Sequence, residues 1–216
     1  MTRMWPLALI IACSSRAPTP VAATPPNLAT PSVNGSRGFI ETVDRDLRER
    51  IVAADTANWD YETNICDETE AASAAASESL MAYLSTTIPA STPHRDAASD
   101  KDTKRQLELL RRHAPLPAPA EAALRSELAA ISTSMVGHYG KGEYCPDGGE
   151  CRDLDALSDA LRDSRDPDAL LDAWKGWRTV SPALRDDYAR FVELGNQGAT
   201  EIGYANMGEM WRSGYD

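Results

Sequence analysis

The chain has 216 residues, with 33 Asp and Glu against 22 Lys and Arg, for a net charge of −11. That length holds one or two ordinary domains with a core, and the acidic balance excludes a nucleic-acid binder, which needs a basic stripe. Aromatic residues make up only 6% while alanine is abundant between charged residues, a composition of helix rather than sheet.

Residues 1–13 read as an export signal. Arg3 precedes an apolar run from Trp5 to Ala12 that is too short to span a bilayer. Ile10-Ile11-Ala12-Cys13 is similar to a bacterial lipobox, in which Cys13 becomes the lipidated first residue and attaches the chain to a membrane. Ordinary cleavage near Val21-Ala22-Ala23 is the alternative. Either route exports the chain, to a bacterial periplasm or outer membrane as a lipoprotein, otherwise by secretion. Residues 14–37 hold Pro18, Pro20, Pro25, Pro26 and Pro31 among Ser, Thr and Ala, which predicts an extended, disordered linker.

The helical part is expected over 38–216. Ile40, Val43, Leu47, Ile51 and Ala54 recur at spacings of three and four, predicting a helix from about Gly38 to Ala57. An Ala- and Ser-rich helix follows from about Asp67 to Leu84, closed by Ile88-Pro89 and Thr92-Pro93. Asp100 to His113 reads as helix around Leu107 and Leu110, and Pro115, Pro117 and Pro119 break the chain after it. Leu124, Leu128, Ile131 and Met135 form the core-facing stripe of a helix from about Ala120 to Val136. Gly137 to Gly149 reads as a loop, and a short helix carries Leu154, Leu157 and Leu161. Asp166-Pro167 predicts a capped helix start, Ser181-Pro182 repeats the device, and a last helix is expected from about Gln197 to Arg212. No alternating strand pattern exceeds four residues, so the fold class is all-α.

Cys145 and Cys151 enclose Pro146-Asp147-Gly148-Gly149-Glu150, a turn-rich insert that can bring its ends together. In an oxidising compartment this predicts a small-loop disulfide. The alternative is a metal site with His138, which lacks a fourth ligand. Cys66 reads as a buried thiol.

Four motifs carry a resemblance. They are Trp59-Asp60-Tyr61-Glu62-Thr63-Asn64-Ile65, Trp174-Lys175-Gly176-Trp177-Arg178, the Y-x-x-F-V-E-L-x-N run from Tyr188 to Asn196, and G-Y-x-x-x-G-x-x-W-R-S-x-Y from Gly203 to Tyr215. In this order, from about residue 57 to 216, the chain resembles the angiotensin-converting-enzyme-like family of zinc peptidyl-dipeptidases. The resemblance implies the N-terminal lid and cleft-wall helices of a larger, mostly helical peptidase that releases dipeptides from peptide C-termini. It implies a buried Arg178 that binds one activating chloride, and Tyr215 contacting a second, each site completed by residues beyond Asp216. The spacing of Cys145 and Cys151 matches a disulfide of the family. Asp155 aligns with an acidic residue of the cleft wall in some members, with a solvated surface aspartate as the alternative. For Arg178 the alternative is an ordinary ion pair. Trp174, Trp177 and Trp211 read as packing anchors, and Asp186-Asp187 as solvated charge.

A zinc peptidase of this kind needs two histidines one helical turn apart, with a glutamate beside the first to activate water. His94, His113 and His138 are followed by Arg, Ala and Tyr, and none has a second histidine four residues on. The H-E-x-x-H motif is absent. The chain alone is therefore expected to hold no catalytic residue, to bind no zinc tightly and to cleave no peptide. Zinc, chloride and peptide substrates belong to the full-length family. The leading expectation is an incomplete peptidase whose C-terminal catalytic portion lies elsewhere. The alternatives are a non-catalytic exported helical lipoprotein or peptide-binding module, and one half of a split enzyme.

Overall fold

A computed structural model describes residues 33–112, 114 and 116–215. The signal, the lipobox Cys13, most of the expected linker and His113 lie outside the described residues. The described residues form eight α-helices and one 3-10 turn, in order α1 Val33–Thr63, α2 Asp67–Ala97, α3 Lys101–Arg112, α4 Ala122–Gly140, α5 Leu154–Asp163, α6 Pro167–Trp177, the 3-10 turn Ser181–Leu184, α7 Arg185–Glu201 and α8 Met207–Ser213. Among the described residues the only β-pairing is an isolated antiparallel bridge between Tyr144 and Arg152. The all-α expectation holds.

The long hairpin of α1 and α2 organises the fold. Phe39, Ile40 and Val43 of α1 meet Tyr83, Leu84 and Ile88 of α2, and Leu107, Met207 and Met210 close the same cluster. A second cluster joins Met81 of α2 to Leu128 of α4 and Leu194 of α7. Two boundaries differ from the sequence reading for reasons visible in this packing. α1 begins at Val33, so residues 33–37 are helix rather than linker. Ser36 is buried there and donates its hydroxyl to the His94 carbonyl at 2.9 Å, which ties the first turn to α2. α2 runs through Pro89 and Pro93 to Ala97, although each internal proline costs about 3 kcal/mol. Ile88, Ser91 and His94 are buried on this segment, and Ile88 joins the cluster shared with α1. Tertiary packing holds the helix through both prolines.

α4 also continues past its expected end, to Gly140. A Cβ on Gly137 would stand 2.2 Å from Tyr61 Oη, so a residue read as a loop former is a packing residue inside a helix. The helix expected over 197–212 is two helices. α7 ends at Glu201, Gly203 takes φ +90°, and Asn206 opens α8 by accepting from Glu209 N at 2.8 Å. Positive φ favours glycine at this corner. Asp166 caps α6 as expected, accepting from Asp168 N at 3.1 Å, whereas Ser181-Pro182 opens a 3-10 turn with no side-chain cap. Between α3 and α4 the proline-rich strap runs under α7. A Cβ on Gly198 would lie 2.5 Å from the Pro117 carbonyl oxygen, so helix and strap touch backbone to backbone.

Two tyrosines inside this frame titrate late. Burial, then the nearby Glu70 carboxylate, pushes the Tyr61 phenol up to about 12. Burial, then Asp46, does the same to Tyr83. In the unfolded chain both ionise near 10, so their contribution to stability is intact below about pH 10 and lost as pH rises towards 12. Phenolate absorbance during alkaline titration should show a late component that coincides with loss of helix. Tyr61→Phe and Tyr83→Phe should each remove part of it.

Candidate functional site

The last turns of α4 lead into a small covalent clamp that positions α6. Cys145 and Cys151 form a disulfide with S–S 2.04 Å, as the insert between them predicts. Just outside it, Tyr144 and Arg152 exchange backbone hydrogen bonds at 2.8 and 2.9 Å. Tyr144 Oη donates to Asp172 of α6 at 2.8 Å, and the Arg152 guanidinium pairs with the same carboxylate. Hydrogen bonds from Arg152 and then Tyr144 hold the Asp172 carboxyl below its ordinary range. A Cβ on Gly176 would fall 2.2 Å from the Tyr144 ring, and one on Gly142 would fall 2.7 Å from Val180. The two glycines let α6 lie against the clamp. Trp177 Nε1 then donates to Tyr139 Oη at 3.0 Å, with the two rings edge to face.

This docking places Arg178 at the edge of an apolar groove of about 1120 Å³. It is lined by Met135, Val136 and Tyr139 of α4, Tyr188 and Phe191 of α7, Glu62 of α1 and Arg185 next to the 3-10 turn. Val136, Tyr139 and Tyr188 are exposed. The stripe Leu124, Leu128, Ile131, Met135 therefore leaves the core at its C-terminal end and continues as a groove wall. Sequence periodicity alone does not distinguish those two surroundings.

The expected site residues are not brought together. Arg178 is exposed rather than buried. It has no carboxylate partner among the described residues: its Nη1 donates to the Trp174 carbonyl at 2.7 Å, and its Cζ lies 3.6 Å from the Trp174 ring centroid. A cation–π contact replaces the ion pair. Tyr215 is 89% exposed and does not line the groove. Asp155 is exposed in the first turn of α5, where a negative charge suits the helix N-terminus. Cys66 is disulfide-bonded rather than a free thiol, and it is only half-buried. Trp174 and Trp211 are each about half exposed, so they are less deeply packed than expected. Asp186 and Asp187 are exposed.

The described residues do not fit a zinc ion. His94 is 1% exposed and stacked on Phe39 at 4.2 Å, and burial holds its pKa below the ordinary value. His138 is exposed on α4. The one group of three potential ligands converging within 4.8 Å among the described residues is Glu143, Cys145 and Cys151. Its two sulfurs are spent in the disulfide, which also removes the proposed site with His138. No described helix is long and apolar enough to cross a membrane.

Residues 30–216 match the family described as Angiotensin-converting enzyme. The chain is 34% identical over 165 residues to Angiotensin-converting enzyme-like protein Ace3 of Mus musculus, a match covering 74% of this chain and 22% of that protein. It is 28% identical over 191 residues to the angiotensin-converting enzyme of Theromyzon tessulatum, covering 84% of this chain and 30% of that one. Against the angiotensin-converting enzyme of Mus musculus it is 30% identical over 184 residues, covering 82% and 14%. The chain thus spans less than a third of the length of each of these relatives.

The clamp makes a measurable contribution. Replacing both Cys145 and Cys151 by Ser should cost about 2 kcal/mol in urea unfolding, the value for so short a loop. Circular dichroism of the helices should stay unchanged, because the bond closes a loop and not a helix.

Proposed function

The chain belongs to the angiotensin-converting enzyme family, and on that premise we propose that it supplies the lid and one cleft wall of an exported zinc-dependent peptidyl-dipeptidase. The metal ligands of that enzyme would stand on polypeptide outside these 216 residues. The observation that carries the reading is a family-matched helical scaffold whose described residues gather no set of free zinc ligands. Bound to the complete enzyme, zinc would supply the activated water that attacks the peptide bond. This chain's own contribution is shape: the α1–α2 hairpin as cover, and α4 with α7 as wall.

Arg178 and Tyr215 are proposed as partial chloride ligands. Among the described residues Arg178 hydrogen-bonds only the Trp174 carbonyl, through Nη1, and Tyr215 offers an exposed phenol. Neither residue is enclosed, so an anion at either would remain hydrated and weakly held until further polypeptide covered it. Asp155 is proposed at the rim of the same cleft. The proposed folded unit begins at Val33, following a signal of 1–13 and a linker over the residues between.

Export is supported by the disulfide at Cys145–Cys151, since such bonds persist in oxidising compartments. Lipidation of Cys13 is proposed as the anchor. A thioether at Cys13 would keep that sulfur out of any disulfide. The intact mass of the exported protein reads this directly, because a diacylglyceryl adduct and an internal disulfide differ in mass. An exported protein that carries an internal disulfide and no adduct would overturn the anchor.

The purified chain incubated with zinc should retain no stoichiometric metal after gel filtration and release no dipeptide from a blocked tripeptide. Stoichiometric zinc accompanied by dipeptide release would overturn the proposal that catalysis resides elsewhere.

A further inference from the structure

His94 is a buried ionisable group with no part in the groove. It stands near the C-terminal end of α2, directly after Pro93, and is 1% exposed. Its ring stacks on Phe39 of α1, itself fully buried, with centroids 4.2 Å apart and planes 11° from parallel. Its Nδ1 has no hydrogen-bond partner among the described residues. Its carbonyl accepts twice, from Ser36 Oγ at 2.9 Å and from Ala98 N at 2.9 Å. Through ring and carbonyl together, one residue ties the end of α2 to the first turns of α1.

A neutral imidazole suits this place and a charged one does not. Protonation makes both ring nitrogens donors, and at Nδ1 there is no acceptor to meet the proton. The end of a helix by itself favours a cation. Burial outweighs that and holds the His94 pKa below its ordinary value. The charged groups of the surrounding elements do not offset it. Arg37 and Glu41 of α1 and Asp96 of α2 are exposed. Arg95 is paired with Glu108 of α3 at 3.8 Å, a carboxylate that Arg111 and Arg112 also hold. Asp100, in the turn before α3, accepts from Thr103 N at 2.9 Å. Lys101, Asp102, Lys104 and Arg105 of α3 are exposed, as are Glu209 and Arg212 of α8.

We propose that His94 is a proton-operated latch on the α1–α2 hairpin. In acid the charged ring leaves the Phe39 stack, the Ser36 bond to its carbonyl is lost with it, and the first turns of α1 come loose. The open state titrates near 6.5 and the closed state lower. The latch is therefore intact above about pH 6.5 and weakens as the pH falls from there towards the closed-state value. The device acts where the folded part begins, beside Val33, and does not depend on what the hairpin covers.

The test is hydrogen–deuterium exchange of the 216-residue chain across the range in which histidine titrates, corrected for the intrinsic rate. Protection of residues 33–43 should fall by about tenfold per pH unit below about pH 6.5, while α4 and α7 keep theirs. His94→Phe leaves a ring on Phe39 that cannot take a proton, so its profile should be flat. His94→Gln, which does not titrate either, should also be flat and serves if the larger ring unfolds the hairpin. Ser36→Ala should lower protection at every pH and keep the slope. His138→Gln, on exposed α4 surface, should behave as the parent. A parent profile without the step would overturn the proposal, as would a step that survives in a folded His94 variant or disappears in His138→Gln. So would protection in Ser36→Ala equal to the parent's, or an acid loss shared equally by all the helices.

Discussion

The structure depends on α2 remaining helical through Pro89 and Pro93. α1 packs along one side of this helix and α4 along another, and both hydrophobic clusters draw residues from it. If the helix stopped at Leu84, Ile88, Ser91 and His94 would have no buried place. Ser36 would also lose the carbonyl that fixes the start of α1. Proline removes a donor and crowds the preceding turn, and the core compensates by burying the face that carries the affected residues. Serine and threonine help locally: Ser91 Oγ donates to the Ile88 carbonyl at 2.7 Å, and Thr86 Oγ1 donates to Tyr83 O at 3.0 Å.

What could be read from residues alone follows the range of the forces involved. Asp166-Pro167 is a local device, and it caps α6 as its chemistry requires. Leu128 sits mid-stripe and is fully buried. The Cys145–Cys151 insert closes on itself through its own turn residues. Features set by distant partners were not legible. Gly137 looks like a loop former until Tyr61, far away in sequence, occupies the space a side chain would need. The split between α7 and α8 turns on Gly203 adopting positive φ, which a glycine permits but does not announce. The state of Cys66 depends on chain pairing that no spacing rule encodes.

For the site, the motif from Trp174 to Arg178 ends at a residue lining the groove, and its physical character differs from the expectation. Arg178 lies on an indole face at an open edge, and Arg185, on the groove edge across the 3-10 turn, was not singled out at all. The signal that could have found it was the Ser181-Pro182 break: a turn between two helices presents its flanking side chains outward. Motif reading locates residues that a family shares. It does not report which of their neighbours stand without a carboxylate partner among the described residues.

The close approach of Gly198 to the strap before α4 separates two loops that look equally irregular on paper. The strap is threaded beneath a helix with backbone touching backbone, and Pro117, Ala118 and Pro119 are buried there. An added residue would have nowhere to bulge. The turn between the two bonded cysteines faces outward, and Asp147 to Glu150 are exposed. Divergence in length among kindred sequences, and any engineered tag or graft, should therefore accumulate at the second loop and spare the first.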